Sequence, residues 1–183
     1  MKTPPDSALL LVDGYNIIGH WPSLQQTRDR FGLEPARQEL IETLINYSTY
    51  QGFKTQVVFD AQLQKKPAQE EVISGQLTVY YTDWSQTADT YIEKRCARFS
   101  RQSSPLPARL IVATSDRAQQ LTILGYGAEW MSAQYLAQDV FQSRLKVSNP
   151  PPKRTKARPP SLSQRLDPRV QEQLKLWRLG LDV

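Results

Sequence analysis

The chain has 183 residues, 39% hydrophobic and 22% charged, with 23 Lys+Arg against 18 Asp+Glu for a formal net charge of +5. That length suits one domain of about 140 residues with an extension, enough to hold a core without disulfides or a structural metal. The single cysteine excludes a disulfide framework and a Cys-rich zinc site, no apolar stretch is long enough to cross a bilayer, and with only about eight residues before the first strand a cytoplasmic location is expected.

In chain order, the first predicted strand is Ala8–Val12, an apolar run of the kind buried on both faces of a parallel sheet. It ends in Asp13, Gly14, Tyr15 and Asn16. His20, beside Trp21 and Pro22, reads as a loop residue. Leu40, Ile41, Leu44, Ile45 and Tyr47 recur at helical spacing after Pro35, which suits a first turn. A second strand, Thr55–Phe59, ends in Asp60. A third, Leu77–Tyr81, is followed by Thr82-Asp83-Trp84 and then by Thr87, which can cap a helix from Ala88 to about Phe99. Ile92, Cys96 and Phe99 share one stripe of that helix, and Cys96 reads as a bystander thiol.

The fourth strand, Leu110–Ala113, runs into Thr114, Ser115 and Asp116. Ser115 is the expected cap of a helix reaching Leu124 and closed by Gly125 and Gly127. After a strand at Ala128–Met131, Ser132 caps a last helix with Tyr135, Leu136, Val140 and Phe141 on its inner side. Strands alternating with helices give the α/β class, with a mainly parallel sheet covered on both faces.

The domain is expected over residues 1–146, followed by a Pro-rich basic linker (147–166) and an amphipathic helix (167–183). Residues 149–160 carry five prolines and four cations, and no apolar face. Leu166, Val170, Leu174, Trp177 and Leu181 form the terminal stripe, and Trp177 is placed to dock on the domain or on a partner. Residues 1–145 hold 14 basic and 15 acidic side chains, whereas residues 146–183 hold 9 and 3. The positive charge therefore belongs to the arm. Lys153, Arg154, Lys156 and Arg158 are candidate RNA contacts, binding phosphates without sequence preference. The plainer reading is a solvated tether.

In a parallel sheet the C-terminal strand ends share one edge, where open α/β folds place their ligands. Asp13, Asp60, Asp89 and Asp116 can meet there, and Glu93 lies one helical turn from Asp89. Each acid alone has a structural reading as a turn former or helix cap. Together they would repel, and Mg²⁺ or Mn²⁺ would remove that cost. Such a cluster suits phosphodiester hydrolysis. Asn16 is placed to position Asp13 or an attacking water, and Thr114 and Ser115 to orient ligands. An aspartyl phosphatase needs a second Asp where Tyr15 stands, and a dinucleotide fold needs a glycine loop that is absent.

The motifs V-D-G-Y-N-I-I (12–18), V-V-F-D-A (57–61), T-A-D-T-Y-I-E (87–93) and V-A-T-S-D (112–116) resemble, in the same order, those of the YacP-like NYN domain family of PIN-like nucleases. The resemblance covers roughly residues 8–145, leaving the arm outside. It implies a three-layer α/β/α PIN-like fold and a metal-dependent endoribonuclease cutting single-stranded RNA. Asp13, Asp89 and Asp116 would be its catalytic and metal-binding carboxylates, with Asn16 and Asp60 in its signature motifs. It also implies mRNA as target and the ribosome as a place of action. One departure stands out: Gln119 lies where the family pattern S-D-x-x-E-Q has its acid. That substitution motivates the alternative, a non-catalytic RNA- or ribosome-binding module.

Overall fold

The computed structural model describes residues 8–61, 67–101 and 107–148. Six strands form one sheet: β1 (Ala8–Asp13), β2 (Lys54–Phe59), β3 (Gln69–Val72), β4 (Leu77–Tyr81), β5 (Arg109–Ala113) and β6 (Glu129–Met131). Their spatial order is β3-β4-β2-β1-β5-β6, and every pairing is parallel except β3 with β4. The helices are α1 (Gly14–His20), α2 (Pro22–Phe31), α3 (Leu33–Gln51), α4 (Ala88–Arg101), α5 (Arg117–Gly125) and α6 (Ala133–Ser148).

Successive strand residues point to opposite faces, so a run with no polar interruption must be covered twice. Leu10 and Val12 of β1 join Ile17, Leu24, Leu40, Leu44, Leu136 and Val140 in one cluster, beneath α1, α2, α3 and α6. Leu11 joins Val58, Ile92, Cys96, Val112 and Ile123 in the other, beneath α4 and α5. The result is a three-layer α/β/α domain. Cys96 is fully buried, and burial pushes its thiol up to about 11, so it stays protonated.

Several elements differ from the sequence reading, each for a local reason. His20 is not in a loop but ends α1, its Nδ1 2.7 Å from the Asn16 carbonyl oxygen. The cap of α5 is Asp116 rather than Ser115, because the Asp116 carboxylate accepts from the N–H groups of Ala118 and Gln119. Ser115 Oγ instead accepts from Ala133 N–H at the start of α6. On α6 only Leu136 and Val140 of the four expected inner residues are buried, while Tyr135 and Phe141 are each 58% exposed. The caps at Thr87 and Ser132 form as expected, to Thr90 N–H and Tyr135 N–H. α6 continues through Val147 and Ser148, the first two residues of the expected linker. The rest of the linker and the helix at 167–183 lie outside the described residues.

Candidate active site

The chain runs outward from β1 through β2 to β4, then returns to the other side of β1 to form β5. The helix after β1 covers one face, and the helix after β5 covers the other. Such a reversal opens a crevice at the carboxyl ends of the two strands. Asp13 ends β1 and Asp116 follows β5, so the two flank this crevice.

Asp13 is 7% exposed and caps α1, its Oδ1 accepting from Asn16 N–H at 3.1 Å. Asn16 then reaches across: its Oδ1 accepts from the backbone N–H of Ser115 at 2.8 Å. Thr114 is fully buried, and its Oγ1 accepts from Asp116 N–H. Trp130 Nε1 donates to the Thr114 carbonyl, tying β6 to the same turn. Asp60 follows β2 and accepts from Thr82 Oγ1 at 3.2 Å, while Thr82 Oγ1 accepts from Ala61 N–H. Asp89 lies in the first turn of α4 and accepts from the Gln119 side-chain amide of α5. Asp83 turns away to accept from Ser85.

The electrostatics show which acids feel one another. Burial raises Asp13 from its ordinary 3.8 to about 6, opposed by the Asn16 N–H and reinforced by the charges of Asp89, Asp60 and Asp116. Asp89 is also raised, first by partial burial and then by Asp116 and Asp60, against the Gln119 hydrogen bond. Four carboxylates therefore share one electrostatic neighbourhood. Glu93 is exposed one turn further along α4, and the charge it exerts is felt at Cys96 instead. Lys153, Arg154, Lys156 and Arg158 lie outside the described residues.

Each of the four aspartates spends one oxygen, Oδ1, on a hydrogen bond within the protein. The second oxygen of each makes no hydrogen bond among the described residues. Gln119 adds an orphan: its Oε1 is buried without a hydrogen-bond partner. This all-oxygen donor set suits a hard divalent cation. Among the described residues no three His, Cys, Asp or Glu side chains are grouped tightly enough to hold an ion by themselves.

Arg37 was not legible as a site neighbour, nor was the packing role of Gly14. A Cβ on Gly14 would overlap the ring of Phe59, so glycine here serves close packing rather than a turn. A cavity of about 640 Å³ between α3 and α6 is lined by no carboxylate among the described residues and lies apart from this edge.

A mostly parallel α/β/α sheet with carboxylates gathered at its switch point serves many chemistries, and the family decides among them. The chain belongs to the YacP-like NYN domain family, whose pattern matches residues 10–179. The match therefore extends through most of the basic arm, further than the four motifs reach. The chain is 33% identical to YacP of Bacillus subtilis (strain 168) over 172 residues, covering 94% of this chain and 97% of that protein. It is also similar to crystal structures of Rae1 (YacP) from Bacillus subtilis. One, of a single-substitution mutant, has a TM-score of 0.64 at 31% identity and covers 92% of this chain and 99% of that one. The other has a TM-score of 0.62 at 33% identity, covering 94% and 95%. Among the described residues no helix is long and apolar enough to cross a membrane.

Proposed function

We propose that this protein is a metal-dependent endoribonuclease that cleaves single-stranded RNA, with mRNA as the target and the ribosome as a place of action. The observation that carries the reading is the gathering of Asp13, Asp60, Asp89 and Asp116, with Asp13 buried and raised to about 6. Asp13, Asp89 and Asp116 would hold Mg²⁺ or Mn²⁺, each offering its unspent oxygen. A bound cation would offset their repulsion and activate water for phosphodiester hydrolysis. Asn16 fixes the distance between the β1 and β5 ends through Ser115 N–H. Thr82 orients Asp60, Thr114 holds the turn that presents Asp116, and Ser115 anchors α6. Lys153, Arg154, Lys156 and Arg158 would hold RNA phosphates non-specifically.

The test is cleavage of a structured mRNA and of single-stranded oligonucleotides with Mn²⁺ by wild type and by Asp13→Asn. Wild type should cut and the variant should lose at least 100-fold in rate, about the cost of removing one charge-stabilising group from a site. Equal cleavage by both would rule this site out. The contact of Gln119 with Asp89, where the family pattern has an acid, favours a second reading as a non-catalytic RNA- or ribosome-binding module. Tight RNA binding without metal-dependent cleavage of any RNA would decide for it.

A further inference from the structure

Beside the carboxylate edge, α1, the start of α3, β3 and the ends of β2 and β4 enclose an open cleft of about 490 Å³ that shares Asp60 and Thr82 with that edge. Two of its lining side chains, Tyr15 and Tyr81, are aromatic and rest on Phe59 beneath them. Fully buried Phe59 packs edge-on against Tyr15, with centroids 5.1 Å apart, and stacks on Tyr81 at 5.8 Å and 24°. The Arg37 guanidinium lies 5.9 Å from the ring centres of both Phe59 and Tyr81. It is pinned there, donating to the Tyr15 hydroxyl at 2.9 Å and paired with Glu34.

Charge decides what such a cleft accepts. Arg37 pairs with Glu34 while its Nε is buried without a hydrogen-bond partner, and the other charged side chains on the described lining are Asp60 and Glu71. Among the described residues, a phosphate entering would meet the carboxylates of Asp60 and Glu71. A nucleobase carries no charge, stacks on aromatic rings and on guanidinium planes, and exposes a hydrogen-bonding edge. A carboxylate accepts freely from the exocyclic amino group of adenine or cytosine, whereas uracil offers it one N3–H flanked by two carbonyl oxygens that it repels. Gln69 and Glu71, two apart on β3, both face the cleft, and Gln69 Nε2 donates to Glu71 Oε1 at 2.8 Å, leaving Oε2 for a ligand.

We infer that this cleft is a nucleobase subsite, seating the base next to the scissile phosphate and favouring amino-bearing bases over uracil through Glu71. RNA as the ligand rests on the nuclease reading above, and the subsite itself rests on the cleft. Glu71 is exposed on an edge strand, so its substitution leaves the core untouched.

The experiment measures binding of fluorescein-labelled 12-mers of A, C and U to the full chain by anisotropy. It is run in EDTA at about 0.2 M salt, where phosphate contacts of the arm are weakened. Oligo(A) and oligo(C) should bind about five- to tenfold more tightly than oligo(U), the scale of one base-edge contact. Glu71→Gln should shrink that gap below about twofold at unchanged melting temperature, since an amide serves both kinds of edge. Tyr81→Leu should weaken all three. Equal binding of the three by wild type, or a gap that survives Glu71→Gln, overturns the inference. Base preference in a protein that never cleaves would sink the nuclease reading and leave the subsite, and cleavage without base preference would do the reverse.

Discussion

The side chain of Asn16 accepts a hydrogen bond from the backbone N–H of Ser115 at 2.8 Å, joining residues 99 positions apart across the sheet's switch point. Asn16→Ala removes the acceptor and leaves that partly buried N–H without its partner. The loss should be about 1–3 kcal/mol, read as a lower midpoint in urea. Asn16→Asp keeps an oxygen in place but adds a fifth carboxylate, so its stability should recover at pH 5 and not at pH 7.5. Unchanged unfolding of Asn16→Ala would show that the bridge does not hold the two strand ends.

Asp13 should make the metal-free protein less stable as the pH rises. Its folded-state value of about 6 exceeds the ordinary 3.8, so the folded chain keeps a proton that the unfolded chain releases across that interval. Stability therefore declines from about pH 4 to pH 6 and stays low above, a cost on the order of 3 kcal/mol at neutral pH. Asp13→Asn retains an oxygen for the Asn16 N–H and carries no charge. In EDTA it should melt above wild type at pH 7.5, with the two converging near pH 4. A variant that is less stable at pH 7.5 would contradict the burial argument.

Gln119→Glu should trade apo stability for cation affinity. A carboxylate there would face Asp89, which already feels Asp116 and Asp60 and would lose the amide that now relieves it. The variant should melt lower than wild type in EDTA and show a larger rise in melting temperature with 1–10 mM Mn²⁺, a range of about tenfold that reads affinity through ligand linkage. A smaller rise than wild type would mean that no cation sits near this position.

Gly14→Ala forces a methyl group into the ring of Phe59, which is fully buried and packed between Tyr15 and Tyr81. Overpacking of this kind costs about 1–3 kcal/mol. Urea unfolding should show it, together with a changed near-ultraviolet tyrosine signal. An unperturbed signal at full stability would mean the aromatic stack can slide.

Replacing Lys153, Arg154, Lys156 and Arg158 together by alanine should flatten the dependence of log affinity on log salt by about 3, four single-strand phosphate contacts at roughly 0.7 each. An unchanged slope would remove these residues from the RNA interface.

Five of the six strands are visible in the sequence because each is an apolar run bounded by turn residues. β3, Gln69–Val72, is not, since all four residues are exposed and only its antiparallel pairing with β4 makes it a strand. α1 has glycine at its first and sixth positions and starts on the Asp13 cap, and α2 buries Leu24 alone. Neither carries a stripe that a helical period would reveal. The meeting of Asp13, Asp60 and Asp116 follows from parallel strand ends sharing an edge. The Gln119–Asp89 contact needs the packing of α4 against α5, and the Arg37 platform needs α3 to pass beside Tyr15, so spacing could disclose neither.

Asp13 and Asp116 each begin a helix with the same carboxylate that faces the shared edge. Folding alone would retain an aspartate at both places, even in a descendant that had stopped working on any substrate. Finding the two in another chain of this shape therefore says little about whether that chain is active. Asp60 and Asp89 cap no helix through their side chains, and both add repulsion at Asp13. They are the positions free to drift once activity is lost, and so the ones to inspect when sorting working members of such a lineage from retired ones.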